Sequence, residues 1–317
     1  MNGYVAPPWL PGAHAQTILP ALWPWPRVSY DAERWDTPDG DFIDVHWAGP
    51  ANASRLLVFF HGLEGSSSGA YARRIGAEAL RRGWRFAVPH FRGCSGELNR
   101  ALPDYHSGAS GEVDWILREF VRRHRGPVYA GGVSLGANAL LKWLGELRAS
   151  AARVVRAAVA VSAPLDLTMT GAVLARGFSR FYGKQFLCNN LRWKALRKLE
   201  PDMYPGAYDG RRVRAAKVLR DFEDAVTAPV NGFLDARDYW VRSSAGQFLD
   251  TIAVHTLLIN ARNDPFLPDH VLRGVERRRQ QIPATVVFEF PEEGGHAGFA
   301  NADGWLGKRV ADFLDPL

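Results

Sequence analysis

The eight residues Gly131–Asn138, GGVSLGAN, constrain this 317-residue chain more than any other segment. An apolar run, PVYAGGV, leads into them and a helix-forming run, ANALLKWLGEL, leads out. A strand that becomes a helix across a single residue leaves that residue strained. Here that residue is Ser134, and Gly132 and Gly136 stand where the strand and helix backbones come closest, so a side chain at either would clash. The pattern Gly132-Val133-Ser134-Leu135-Gly136 is a nucleophile elbow, which presents a serine Oγ at the carboxyl end of a sheet. The pentapeptide alone is a weak signal; the strand before it and the helix after it make Ser134 the candidate nucleophile.

A serine so placed needs a base and an acid later in the chain, in the order serine, acid, histidine. HTLLINARNDPFLP, residues 255–268, reads as a buried strand ending in a polar turn, with Asp264 just past its end. VVFEFPEEGGHAGF, residues 286–299, reads as another strand followed by a loop carrying His296 behind two glycines. Parallel sheets gather their sites outside the carboxyl ends of the strands, so the three residues can converge. His296 is then the base for Ser134, and Asp264 fixes its tautomer. Asp166, after the strand around Val154–Val161, is a rival acid, although it equally suits the cap of a following helix. The apolar strand ending at Phe60 turns at His61-Gly62-Leu63-Glu64-Gly65. Backbone N–H groups of Leu63 and Leu135 are the candidate oxyanion hole, with His61 supporting the loop.

These strings resemble the YheT-like bacterial α/β-hydrolases, a family related to the eukaryotic ABHD esterases and acylglycerol lipases. The resemblance runs through GAHAQTILP, HGLEGSSSGAY, HFRGCSGELNR with YHSG, GGVSLGANALLKWLGE, ARNDPF and GGHAGF, nearly the whole chain. It implies an esterase with Ser134 as nucleophile, Asp264 as acid and His296 as base, the residues already reached from the strand ends. The expected substrates are small to medium acyl esters or acylglycerols. A thioesterase or amidase would use the same residues, and a noncatalytic ligand-binding scaffold of the same fold is the alternative outside enzymes.

The rest of the chain agrees with an α/β-hydrolase fold, a mostly parallel sheet covered by helices. Residues 31–163 and 250–317 alternate strands with helices, among them the amphipathic SGEVDWILREFVRRH with Val113, Ile116, Leu117 and Phe120 on one face. Residues 164–249 break the rhythm and read as a helical cap inserted after the sixth strand. Of its apolar residues Met169, Val173, Leu174, Phe178, Phe181 and Tyr182, a few are expected to face the serine. Residues 1–30, rich in proline and tryptophan, are expected to form an irregular arm.

Composition excludes several other classes. No GKS or GKT follows the Gly65–Gly69 turn, and no dinucleotide fingerprint is present. Neither HExxH nor metal-site spacing of Cys94 and Cys188 occurs, so no cofactor and no metal are expected. A net charge of +6 is spread over arginine-bearing helices without a nucleic-acid motif, so no nucleic acid is an expected partner. Arg92 is expected to pair with Asp104 or Glu97, and His90 and His106 remain candidates near the site. Two cysteines suit a reducing compartment, and the N-terminus has neither a signal-peptide pattern nor a long apolar run. A cytoplasmic protein follows, with a weak peripheral membrane contact through the arm as a further expectation and the oligomeric state left open.

Overall fold

Alternation along the strands sets the architecture. In the strand LLVFF every residue is buried, yet Leu56, Val58 and Phe60 belong to one apolar cluster while Leu57 and Phe59 belong to another. A strand whose two faces both need burial must lie inside a sheet covered on both sides. The computed structural model, which describes residues 3–186, 190–301 and 303–317, has this form. Cys188 lies outside the described residues.

Eight strands make one sheet: β1 Asp31–Asp36, β2 Phe42–Ala48, β3 Leu56–Phe60, β4 Arg85–Pro89, β5 Val128–Val133, β6 Ala157–Val161, β7 His255–Ile259 and β8 Val286–Glu289. Their order is β1-β2-β4-β3-β5-β6-β7-β8. Only β1 with β2 and β2 with β4 are antiparallel. The β1–β2 hairpin turns at Gly40, whose φ of +80° suits a residue without Cβ. Before the sheet comes helix α1, Gly12–Leu22; around it lie α2 Ala70–Arg81, α3 Ser110–Arg123 and α4 Leu135–Leu147. Val113, Ile116, Leu117 and Phe120 of α3 are buried against one face as their spacing predicts.

Between β6 and β7 the chain makes a helical insertion: α5 Leu167–Leu174, α6 Ser179–Phe186, α7 Arg192–Lys198, α8 Gly210–Ala215, α9 Leu219–Phe222, α10 Ala228–Val230 and α11 Ala236–Ser243. The insertion has its own apolar cluster, including Leu174, Tyr182, Val213 and Phe222, which takes in Phe266 from the segment after β7. Asp166 caps α5, accepting the Met169 N–H at 3.0 Å. Helices α12 Asp269–Arg277 and α13 Trp305–Leu314 complete the core.

Two expectations are corrected. The N-terminal segment is an irregular arm only in part: residues 3–11 and 23–30 are irregular, but residues 12–22 form α1 in spite of Pro20. Pro20 has no N–H for the Gln16 carbonyl four residues back, and the Gly298 backbone packs against that carbonyl from the core side. Arg92 pairs with neither Asp104 nor Glu97. The hairpin turn carries Asp39 and Asp41 to it, and Glu112 of α3 completes the set. Glu97 pairs with Arg34, and Asp104 with Lys198.

Register aligns the strand ends. Phe60 pairs with Gly132, Val133 with Val161, Val161 with Ile259 and Ile259 with Glu289, so the segments after β3, β5, β6, β7 and β8 leave the same edge of the sheet. At β5 the close approach is severe. A Cβ on Gly132 would lie 2.7 Å from the Gly136 carbonyl carbon, and one on Gly136 would lie 2.5 Å from the His61 carbonyl oxygen. Because the opposing atoms are backbone, Gly136→Ala should destabilise the fold by about 1–3 kcal/mol, read as a lower urea midpoint; an unchanged midpoint contradicts this account of the turn.

Candidate active site

Ser134 sits between β5 and α4 with φ +52° and ψ −121°, a left-handed conformation that a residue with a side chain adopts only when its surroundings impose it. Its N–H donates to the Val161 carbonyl at 2.9 Å, and its own carbonyl accepts the Asn138 N–H at 3.0 Å. The strain turns Oγ out of the sheet toward His296, whose Nε2 lies 2.9 Å away. On the other side of the ring, Nδ1 is 2.9 Å from Asp264 Oδ2. A carboxylate has no proton to give, so Nδ1 carries the hydrogen and Nε2 is left to accept from the serine hydroxyl. Phe266 stacks on the imidazole at 4.0 Å between ring centroids, and its N–H donates to Asp264 Oδ1 at 2.8 Å. The structure thus brings together all three residues singled out from the sequence, and such a set can draw a proton from a serine hydroxyl and return it to a leaving group. Asp166 is committed to its helix cap instead.

The segment carrying His296 is positioned by α1, a segment for which residue order alone shows no role at the site. Gln16 has 0% exposure. Its Oε1 accepts from Gly294 N–H and from Asn263 Nδ2, both at 2.8 Å. Its Nε2 donates to Leu10 O and to Glu293 Oε1. Thr17 Oγ1 accepts the His296 N–H at 2.9 Å, and Ser162 Oγ, just past β6, accepts that of Ala297. A Cβ on Gly298 would fall 1.8 Å from the Gln16 carbonyl oxygen, so the helix rests directly on the glycine backbone of GGHAG. The available signal was the paired occurrence of GAHAQT and GGHAG: a polar residue amid proline-rich sequence and a glycine run with something to lie against.

The loop after β3 is fixed as firmly. Gly62 N–H donates to Tyr71 Oη at 3.3 Å and Glu64 N–H to Tyr105 Oη at 2.6 Å, bracketing Leu63. Tyr105 donates in turn to Glu64 Oε1, and Lys194 Nζ of α7 reaches the same oxygen at 2.8 Å. Lys194 and Glu64 are almost wholly buried, so this pair ties the insertion to the loop. Its contribution is orientation more than stability, since desolvation offsets most of the attraction. Burial also pushes the Cys94 thiol, next to this pair, up to about 12, which leaves it a poor nucleophile.

His61 is fully buried. Its Nε2 accepts the Phe91 N–H at 3.0 Å, so its Nδ1 is the nitrogen that donates to the Gly62 carbonyl at 2.7 Å. Desolvation lowers its pKa to about 4. His90 accepts from Ser67 N–H and is lowered to about 3 by burial, while His106 accepts from Gly108 N–H and is lowered to about 4. None of these three reaches Ser134.

Ser134 stands where two hollows meet. A narrow branch of about 70 Å³ is lined by Leu135, Leu167, Thr170, Leu174, Glu223 and Trp240. An open cleft of about 540 Å³ runs toward α1 past Ile18, Leu22, Tyr71, Phe181 and Tyr182. Leu63, Phe186, Phe266 and His296 border both. Of the insertion residues expected to face the serine, Leu174, Phe181 and Tyr182 line these hollows. Phe178 instead packs on His14, with 4.4 Å between centroids.

Comparison with known proteins shows the family and the fold. The family model of the alpha/beta hydrolase fold matches residues 55–303. The Escherichia coli (strain K12) protein YheT is similar at 39% identity over 314 residues, covering 95% of this chain and 89% of its own. The Saccharomyces cerevisiae protein named medium-chain fatty acid ethyl ester synthase/esterase 2 is 28% identical over 295 residues, 82% of this chain and 61% of its own. Among solved structures, the Pyrococcus furiosus esterase Pf2001 superposes with a TM-score of 0.58 at 15% identity, over 91% of this chain and 90% of that one; at that identity the likeness is one of fold.

Two outcomes are expected. Gln16→Ala leaves the buried Gly294 N–H without an acceptor, so it should lower stability by roughly 1–3 kcal/mol, and reduce turnover as the His296 loop loosens. Urea denaturation and steady-state kinetics read the two effects; a stable, fully active variant contradicts the positioning role. The second concerns acid. The unfolded chain protonates His61 near 6.5 whereas the folded one resists until about 4, so its stabilising contribution is complete above about pH 6.5 and is lost as pH falls toward 4. The urea midpoint of wild type should therefore fall more steeply between pH 7 and 4.5 than that of His61→Gln; parallel curves contradict it.

Proposed function

This chain belongs to the α/β-hydrolase fold family, within its YheT-like branch, and from that we infer that it is a serine hydrolase of carboxylic esters. The observation that carries the reading is the imidazole of His296 held at 2.9 Å from Ser134 Oγ on one side and 2.9 Å from Asp264 on the other. In the reaction His296 Nε2 takes the hydroxyl proton as Ser134 Oγ attacks the ester carbonyl. The N–H groups of Leu63 and Leu135 receive the oxyanion, Leu135 at the positive end of α4. The alcohol leaves with the proton from His296, and water, deprotonated by the same ring, releases the acid and regenerates Ser134. Asp264 holds the tautomer and stabilises the imidazolium.

The narrow branch suits the acyl group, which stays bound through the intermediate, and the wide cleft suits the alcohol, which must depart. Small to medium acyl esters or acylglycerols are the substrates we favour, in keeping with the ester named for the yeast relative. Among the described residues no helix is long and apolar enough to cross a membrane. We favour a cytoplasmic location, with weak peripheral lipid contact through the exposed Trp9, Leu22 and Trp23.

Ser134→Ala and His296→Ala should each abolish ester turnover beyond a small residual. Asp264→Asn should cost up to about 10⁴-fold in kcat, the loss seen when the aspartate of a serine protease triad is replaced in the same way. Asp166→Asn, which alters a helix cap, should leave kcat within a few fold. Near wild-type turnover by folded Ser134→Ala, or a severe Asp166→Asn beside a mild Asp264→Asn, overturns the assignment.

A further inference from the structure

Two side chains in the wall of the narrow branch have hydrogen-bonding capacity that ester cleavage does not use. Thr170 of α5 is 8% exposed, and its buried Oγ1 has no partner among the described residues. Glu223 accepts the Trp240 indole N–H through Oε2 at 2.8 Å. Burial pushes its carboxyl up to about 8, so it is mostly protonated at neutral pH and can donate as well as accept. Both residues line the hollow that contains Ser134 and His296. They are also neighbours in the packing: a Cβ on Gly171, the residue after Thr170, would lie 2.7 Å from the Trp240 ring, and that ring holds Glu223.

The backbone at Glu223 is unusual. It opens a π-turn, Glu223–Thr227, between α9 and α10, a form that is rare inside helices and concentrates at functional sites. A branch serving only a hydrocarbon chain has no use for a half-buried carboxyl beside a buried, unpartnered hydroxyl, since polar groups in an apolar wall are costly without partners. Each group can give and take one hydrogen bond, which matches a neutral hydroxyl on the substrate. A carboxylate would enter a hollow whose described lining has no Lys or Arg. The hollow, at about 70 Å³ beside about 540 Å³ for the cleft, is narrow, so the group that enters is short.

We propose that Thr170 and Glu223 form a polar subsite for a hydroxyl on the acyl chain, so that the favoured substrates are esters of short hydroxy acids. The proposal rests on the ester-hydrolase reading of Ser134. A site built to bond a substrate hydroxyl discriminates strongly against the analogue lacking it, because its own groups are then left unpaired.

The test compares kcat/KM for the ethyl esters of butanoic, 2-hydroxybutanoic, 3-hydroxybutanoic and 3-aminobutanoic acids, following acid release by titration. Wild type should favour at least one hydroxy ester over butanoate by about tenfold or more, one well-formed hydrogen bond being worth that ratio. In Thr170→Val, which keeps the side-chain shape, and in Glu223→Leu the ratio should fall toward one; Thr170→Val keeps the test open if Glu223→Leu fails to fold. Turnover of butanoate as fast as both hydroxy esters, a preference for the amino ester, or a hydroxyl preference that survives both substitutions overturns the subsite while leaving Ser134 as nucleophile. Absence of turnover on all four esters overturns the ester-hydrolase reading and the subsite with it.

Discussion

The imidazole of His296 is the point on which the site turns, and it is held from every side by a different part of the chain. Ser134 and Asp264 bond its two nitrogens, Phe266 covers one face, and Thr17 of α1 takes its backbone N–H. No single element determines the ring's place. Strand register delivers the segments after β5, β7 and β8 to one edge, and the ring then falls where the remaining contacts agree. A shift by one residue in any of these parallel pairings would turn the strand over and remove its contribution.

The same logic extends to the insertion. It is joined to the core by buried charge as well as by apolar packing: Lys194 reaches Glu64 and Lys198 reaches Asp104, both from one face of α7. Breaking a buried pair by removing one partner is far more disruptive than its net stabilisation implies, because the remaining charge is stranded. The insertion is thereby committed to one seating over Ser134, and the hollow beneath it gains a fixed shape. Thr170, Glu223 and Trp240, which line that hollow, lie on α5, the π-turn and α11, while Ser134, Asp264 and His296 lie just past the strand ends.

Where the chain's own pattern carried the information, the sequence was readable. Parallel strands buried on both faces appear as apolar runs, and the elbow needs small residues at fixed places, so the sheet, the insertion and the trio Ser134, Asp264 and His296 could be read from residue order. The N-terminal helix could not. Its prolines argue against a helix locally, and only contact with the glycine backbone around His296, nearly 280 residues away, gives Gln16 a reason to be buried. Arg92 failed for a similar reason: its partners Asp39 and Asp41 are chosen by a hairpin more than 50 residues upstream. Thr170 and Glu223 carry no spacing signal either, because what marks them is an unpartnered buried hydroxyl and a carboxyl in the wall of the same hollow, properties of the packed structure.

The most direct test of the central claim is where a serine-directed reagent lands. A short-chain fluorophosphonate added to the wild-type protein at neutral pH should attach once per chain, and peptide mapping by mass spectrometry should locate the adduct on Ser134, with ester turnover falling in proportion. An adduct on another residue at full loss of activity, or a protein that hydrolyses esters while Ser134 remains unmodified under saturating reagent, would contradict the account.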